Sequence, residues 1–344
     1  MTTQDFNTCN TNFSKSKLFL HKYSMFMIVG VLLLIFIGGQ VKSTNSGMSV
    51  PDWPNTYGHF MFSFPWEKMV GGIFWEHSHR LIASGMGLFT IILTILVYKI
   101  DSRIWVKRIG MLALIAVIVQ GALGGLTVMF NLPAWISSSH GTLAQIYLCI
   151  ITSIALITSP CWVENPIKIK DSSKNSLRKI ATITTFVIFS QLLIGAIMRH
   201  SEAGLAIPDF PLMYGKLIPP LTESALIEAN NQLLKFGILS KSGNSFITAP
   251  QMFIHFLHRL WAFVVVISVV LTFVNVNKNF KNIKQLHFPA LILLVLVFVQ
   301  FSLGVLTILT EKQFTITSIH VVVGASTLAT SFVLMVRSKH LLIN

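Results

Sequence analysis

Long apolar runs separated by short polar segments extend along the whole chain of 344 residues. An α-helix needs about 20 consecutive apolar residues to cross the hydrocarbon core of a bilayer. Runs of that length lie near residues 23–40, 78–98, 109–129, 138–159, 180–198, 252–274, 286–309 and 315–336. The pattern therefore predicts an all-α integral membrane protein with eight transmembrane helices. The composition agrees, because 53% of the residues are hydrophobic and only 11% are charged.

The basic residues that give the chain its net charge of +14 cluster between the predicted helices. They do not form one amphipathic face, so we expect no nucleic-acid partner. Lysine and arginine concentrate in the cytoplasmic loops of membrane proteins. The basic clusters precede the first helix and follow the second, fourth, sixth and eighth: Lys15, Lys17, Lys22; Lys99, Arg103, Lys107, Arg108; Lys168, Lys170, Lys174, Arg178, Lys179; Lys278, Lys281, Lys284; Arg337, Lys339. Both termini are therefore predicted to be cytoplasmic, and we call the opposite side the outer side.

The chain contains an internal repeat. The segment IGGQVKSTNSGMSVPDWPNTYG at 37–58 aligns without a gap with IGAIMRHSEAGLAIPDFPLMYG at 194–215. HRL and the span VQGALGGLT also recur, as HRL and VQFSLGVLT. The repeat predicts two tandem, pseudo-symmetric four-helix bundles that share one orientation in the membrane. The predicted parts are a cytoplasmic segment at 1–22, a first half at 23–160, a cytoplasmic linker at 161–179, a second half at 180–337 and a tail at 338–344.

Four of the eleven histidines occupy duplicated positions: His79, His140, His258 and His320. All four lie near the outer ends of even-numbered spans, so the two in each half lie at similar depth and can face each other. Such a pair suits the two axial positions of a haem between helices of a bundle. A zinc site is the competing interpretation, but the chain has no HExxH motif and no paired cysteines. A single histidine in a span can also simply bond a neighbouring helix.

Other ionisable residues accompany the histidines. Lys42, Arg80, Arg199 and Arg259 recur at matched outer positions, where they could pair with haem propionates or extend to the lipid headgroups. Glu76 lies three residues before His79, on the same helical face, and its counterpart in the second half is His255. An ionisable group in a span is a functional candidate, although an ion pair with Arg80 is the structural alternative. The roles of His77 and His255 remain open.

These motifs resemble the haem A synthases of the respiratory oxidase assembly pathway. The resemblance rests on STNSGMSVPDWP, on ExxHR in EHSHR, on QGALGGLT and on their second copies, and it covers nearly the whole chain. It implies oxidation of a ring methyl of haem O to a formyl group, haem b as cofactor, and a location in the bacterial inner membrane. It also implies a haem O synthase as a partner. On this basis we assign Glu76, His79 and His140 to the substrate haem, and His258 and His320 to haem b.

Two features depart from the family pattern. Some bacterial relatives carry a cysteine pair in the first outer loop, which this chain lacks, and many have an aromatic residue at the position of His77. The cysteines of this chain are Cys9, Cys149 and Cys161, and none lies in a predicted outer loop. We therefore expect no structural disulfide.

Two other functions remain open at this point: a dihaem electron carrier, for which Glu76 would have no task, and a transporter with a duplicated half. The sequence does not identify the membrane electron acceptor or the source of the incoming oxygen. Homo-oligomers are compatible with it. The long outer segment 216–249 has no counterpart of equal length in the first half and suits either a lid or a docking surface.

The charge pattern makes a prediction about topology. Reporter domains fused near Lys174 and Lys281 should lie in the cytoplasm, and a reporter near Asn55 should lie outside, because basic loops are retained on the cytoplasmic side. Compartment-specific reporter activity measures this. An external signal at Lys174 would contradict the outer placement of all four histidines.

Overall fold

The computed structural model describes residues 14–163, 174–219, 222–239 and 246–341. Its long helices confirm the predicted all-α architecture, since eight of them are long and apolar enough to cross a membrane. We number them α1 to α8 in chain order: Lys15–Ser43, Gly71–Ile100, Ile104–Met129, Ala134–Ile157, Lys174–His200, Ala249–Asn279, Lys284–Leu309 and Phe314–Leu341. No β-strand occurs among the described residues.

Several helices extend beyond the apolar runs that predicted them. Helix α1 begins at Lys15 rather than near residue 23, α2 begins at Gly71 rather than near 78, and α8 continues to Leu341. Helical hydrogen bonding continues past the apolar window because long polar side chains at the ends can reach the headgroup region. The early start of α2 places Glu76 inside the helix. The limits of the predicted halves stay predictions.

The long helices of each half form a ring of contacts. Helix α1 packs against α2, α2 against α3, α3 against α4, and α4 against α1. Helices α5 to α8 repeat this order, and α1, α4, α5 and α8 join the halves. In each ring the two even-numbered helices therefore lie on opposite sides. The pseudo-symmetry between the halves itself stays a prediction.

The two outer loops that carry the repeated PDWP and PDFP motifs have the same hydrogen bonds. Asp52 accepts hydrogen bonds from the backbone N–H groups of Tyr57 at 2.8 Å and Gly58 at 2.9 Å. Asp209 accepts the equivalent bonds from Tyr214 and Gly215 at 2.8 and 3.0 Å. The φ angles of Gly58 and Gly215 are 75° and 73°, a region that favours glycine. The turn chemistry of the repeated motif thus produces one loop geometry twice.

The long outer segment of the second half contains a helix at Glu223–Lys235. This helix buries Ala229 and Leu233 in one apolar cluster with Leu205 and Ile207 of the second outer loop. Asn230 fastens the end of the segment by bonding both the backbone N–H and the carbonyl of Ile247, at 2.6 and 2.9 Å. The described part of the segment therefore packs against the second outer loop, and the choice between a lid and a docking surface stays a prediction.

The expectation of no disulfide is wrong for one cysteine. Cys161 is disulfide-bonded, whereas Cys149 is a free thiol inside the bundle. Cys9 lies outside the described residues. Compartment and loop position guided the expectation, but they do not report which sulfur atoms approach each other in the folded chain.

Candidate functional site

The four repeated histidines occupy corresponding positions near the outer ends of the even-numbered helices. His79 lies on α2, His140 on α4, His258 on α6 and His320 on α8. His79 and His140 are close enough to interact electrostatically, and so are His258 and His320. Because α2 and α4, and likewise α6 and α8, lie on opposite sides of their rings, each pair can approach the middle of its bundle from two sides. This is the pairing that the repeat predicted.

Each imidazole lies against a glycine on the preceding odd-numbered helix. A Cβ added to Gly38 would lie 3.0 Å from His79 Cε1, and one added to Gly195 would lie 2.9 Å from His258 Cε1. The equivalent distances are 3.2 Å from Gly124 to His140 and 3.2 Å from Gly304 to His320. These distances are shorter than most contacts that real Cβ atoms make. The four glycines therefore form cradles in which an added Cβ would crowd the imidazole, most severely at Gly195.

The nitrogen atoms of these histidines are poorly satisfied by the protein. The Nδ1 atoms of all four are buried and have no hydrogen-bond partner among the described residues. Near Nε2 a glutamine amide nitrogen lies at 3.4 Å in three cases: Gln120 for His140, Gln191 for His258 and Gln300 for His320. At that length the contacts are weak at best. Imidazoles held rigidly with unused ring nitrogens fit the requirements of haem ligands.

Other metal arrangements have less support. No group of three or more His, Cys, Asp or Glu side chains in the described part of the chain is placed to hold a metal ion. Structural zinc needs four such ligands and catalytic zinc usually three. A paired axial arrangement needs only two, which is what each half presents.

Arg80 fastens the first outer loop to α2. Its Nη1 donates to the carbonyls of Asp52 at 2.6 Å and Asn55 at 3.0 Å. Its Nη2 donates to the carbonyl of Val50 at 2.6 Å and to Glu76 Oε1 at 2.6 Å. Glu76 is only 4% exposed, and its Oε2 accepts the Val50 N–H at 2.8 Å. Glu76 and Arg80 together form a clamp on this loop.

The second half has the same clamp with a different acceptor. Arg259 donates to the carbonyls of Ile207 at 2.7 Å and Leu212 at 3.2 Å. His255 replaces the carboxylate, with Nδ1 3.2 Å from the Ile207 N–H group and Nε2 3.2 Å from Arg259 Nε. A neutral imidazole has one acceptor nitrogen, so it can accept only one of these bonds, whereas Glu76 accepts both of its own. In the first half, Glu76 and Arg80 form the ion pair that the sequence offered as the structural alternative.

The clamps limit what the two arginines can do for a ligand. The terminal nitrogens of Arg80 and Arg259 are engaged by backbone carbonyls of the outer loops, and Arg80 also by Glu76. Their geometry supports loop anchoring more than propionate binding. His77 also anchors the first loop, since it is 1% exposed, lies 3.0 Å from Thr56 Oγ1 and packs on Phe64 with ring centroids 5.1 Å apart.

The loop held by the first clamp also touches α3 beside a histidine cradle. A Cβ on Gly125 would lie 2.6 Å from Trp53 Cε2, so the indole rests directly on the helix backbone next to Gly124. In the second half Phe210 instead contacts Phe301, with ring centroids 6.2 Å apart.

Asp52 in the first outer loop is held in its charged form. Burial raises the pKa of its carboxyl group, but hydrogen bonds from the backbone of Gly58 and Tyr57 and the charge of Arg80 outweigh burial and lower the pKa below its ordinary value.

A charged group joins the halves at their outer ends. Lys42 at the end of α1 donates to Glu202 Oε1, and Lys312 Nζ lies 3.6 Å from Glu202 Oε2. Arg199 of α5 donates to a backbone carbonyl of α1 at 2.7 Å and to Ser43 Oγ at 2.8 Å. We call Lys42, Arg199, Glu202 and Lys312 the seam cluster. The sequence predicted Lys42 and Arg199 as matched cations but not that they meet.

Comparison with known proteins agrees with this arrangement. A family model described as cytochrome oxidase assembly protein, COX15-CtaA, matches residues 21–332. The chain belongs to this family.

Relatives named haem A synthase are similar over most of their length. The one from Shewanella oneidensis is 26% identical, over 81% of this chain and 84% of its own. The one from Halalkalibacterium halodurans is 24% identical, over 91% of this chain and 95% of its own. The one from Alkalihalophilus pseudofirmus is 24% identical, over 88% and 91%.

Sequence reasoning about this member of the cytochrome oxidase assembly family missed three residues: Gln191, Glu202 and Lys312. Gln191 approaches His258, but the residue aligned with it in the first half is Leu34, so a search for repeated polar residues passes over it. Lys312 aligns with Leu132 and was passed over for the same reason. The unusual polarity of Gln191 inside an apolar span was the signal that could have identified it.

The cradles predict that Gly195→Ala disrupts the His258 site. The new methyl group would lie closer to His258 Cε1 than real Cβ contacts allow, so the imidazole or the helix must shift. Purified Gly195→Ala should lose most of the haem that depends on His258, as His258→Ala should. Haem content per protein is the measurement.

Gly121→Ala is the matched control, because nothing lies within 4 Å of a Cβ at that position. It makes the same change in a transmembrane helix and should retain haem at the level of the unaltered protein. Equal haem content in the two alanine variants would contradict the cradle interpretation.

Proposed function

We propose that this protein is an enzyme of haem A biosynthesis that oxidises a ring methyl of haem O to a formyl group. The observation that carries the proposal is the pair of histidines in each half. The two histidines lie on helices at opposite sides of the ring, and each packs against a glycine of the preceding helix. The names of the relatives support the same activity. Neither the electron carrier nor the transporter gains support from the comparisons.

We assign the substrate haem to His79 and His140 and a resident haem b to His258 and His320. Haem b, when bound, supplies a reversible one-electron couple. Differences between the halves support the division. The first half has the buried carboxylate Glu76 where the second has His255, and it has Leu34 at the position that aligns with Gln191.

Glu76 is the residue we propose for proton handling during methyl oxidation. It lies one helical turn from His79, is almost fully buried, and keeps its orientation through the Val50 N–H and Arg80. A carboxylate fixed in this way can accept a proton or stabilise positive charge that develops as electrons leave. Arg80 and the loop it binds act as positioning groups, because they hold the carboxylate and restrict its access to water.

The family and the predicted topology support a proposal for the setting of the reaction. We propose that haem O reaches the protein from a haem O synthase and that electrons pass to a membrane acceptor. The protein would lie in the bacterial inner membrane with both termini in the cytoplasm, as its basic loops predict. A homo-oligomer is compatible with the exposed apolar surfaces of the helices.

The direct test is production of the protein in cells that make haem O but no haem A. Extracted pigments, separated by chromatography, should then contain haem A. Purified protein should show the visible spectrum of a six-coordinate b-type haem. Haem-loaded protein that makes no haem A would support the electron carrier instead. Colourless protein would contradict both the haem A synthase and the electron carrier.

The role of Glu76 can be separated from its clamp by copying the second half. Glu76→His places at position 76 the acceptor that His255 provides beside Arg259, and Glu76→Gln keeps size and hydrogen bonding without charge. If Glu76 handles protons, Glu76→Gln should retain haem b but lose nearly all haem A formation, so that haem O accumulates. Glu76→His keeps a group that can accept a proton and should retain part of the activity.

Haem A per unit of haem b in membranes is the measurement. His255→Gln is the matched control, since it alters the equivalent clamp in the half that lacks the carboxylate. A Glu76→Gln variant that makes haem A normally would show that Glu76 serves only the loop.

A further inference from the structure

The seam cluster carries more positive than negative charge at a place where charge is costly. Three cations, Lys42, Arg199 and Lys312, surround the carboxylate of Glu202 at the outer ends of spanning helices. The side chains of Lys42, Lys312 and Glu202 are each about one-quarter exposed, so the cluster is accessible from the outer side. Unbalanced charge at the edge of a bilayer needs a partner.

The environment of Lys312 reflects this surplus. Burial lowers its pKa, Glu202 opposes that effect, and the charges of Lys42 and Arg199 lower the pKa further. A second carboxylate beside the cluster would offset the repulsion among the three cations.

The cluster lies near His320 of the second half. Arg199 is close enough to His320 to interact electrostatically. Lys312 precedes the start of α8 by two residues, and His320 lies six residues into that helix, about 9 Å along its axis. The terminal nitrogens of Arg259, the other cation near this site, are engaged by the outer loop.

We propose that the seam cluster is the binding site for the propionate carboxylates of the haem held by His258 and His320, with Lys312 as their principal partner. The inference rests on the proposed function, because it requires haem in the second half. Glu202 holds the lysines in place and competes with the propionates for them. Since Lys42 comes from α1, this site ties binding in the second half to a side chain of the first.

The test compares haem b with its dimethyl ester, in which both propionates are neutral. Full-length protein made in haem-deficient cells is reconstituted with each compound, and the dissociation constants are measured by absorbance. The unaltered protein should bind haem b at least about tenfold more tightly than the ester, as expected for loss of a charge-assisted hydrogen bond. Lys312→Gln should bring this ratio close to one, and Lys312→Arg should preserve it.

Two further variants make the result specific. Lys235→Gln makes the same change at an exposed lysine of the outer helix Glu223–Lys235 and should keep the ratio of the unaltered protein. Glu202→Gln removes the competing carboxylate and should tighten binding of haem b but not of the ester. A purely structural Glu202 would instead give weaker binding of both compounds.

The outcomes separate this inference from the function on which it rests. Binding of haem b with an unchanged ratio in Lys312→Gln would overturn the inference alone; that result is expected if the cluster only joins the halves or binds lipid headgroups. Failure of the unaltered protein to bind either compound would overturn the proposed function as well.

Discussion

The close approach of four imidazoles to glycine backbones is the contact on which the rest of the interior depends. Lipid gives helices no hydrophobic reason to associate, so their packing relies on small residues and polar contacts. Here glycines at 38, 124, 195 and 304 give that space to histidine side chains rather than to a second helix. In each case the buried Nδ1 has no partner among the described residues, which costs of the order of 1–3 kcal/mol. Such a cost is acceptable where the imidazole must present its other nitrogen to a ligand.

The arginine clamps hold the two outer loops in the same way beside different acceptors. Arg80 and Arg259 bind backbone carbonyls, so these two contacts do not depend on the side chains of the outer loops. The acceptor beside each arginine is then free to differ, provided that it can accept the N–H of Val50 or Ile207. Glu76 adds a charge to the first half without disturbing the loop. The two halves therefore share the arginine clamp but differ in the residue beside it, Glu76 in the first half and His255 in the second.

The contacts between the halves make them one unit rather than two independent bundles. Helices α1, α4, α5 and α8 form the common interface, and the seam cluster lies at its outer end. Arg199 bonds α1 directly, so a movement of α5 relative to α1 would break hydrogen bonds of a charged group. Bonds of this kind contribute more than neutral ones. The interface consequently links the orientation of the two histidine pairs.

The amino-acid sequence by itself determined the number of spans, the repeat and the identity of the four histidines. Each depends on spacing along the chain: about 20 apolar residues make a span, and duplicated positions select residues that two copies share. Family membership was also accessible, because it follows from the same repeated motifs. Tertiary structure alone decided which partners the long side chains choose. Arg80 and Arg259 bind loops, Lys42 and Lys312 meet at Glu202 across the seam, and Gln191 approaches His258. The reason is physical: helical periodicity gives the face and depth of a residue, but a flexible side chain bonds whichever group the neighbouring elements bring within about 3 Å.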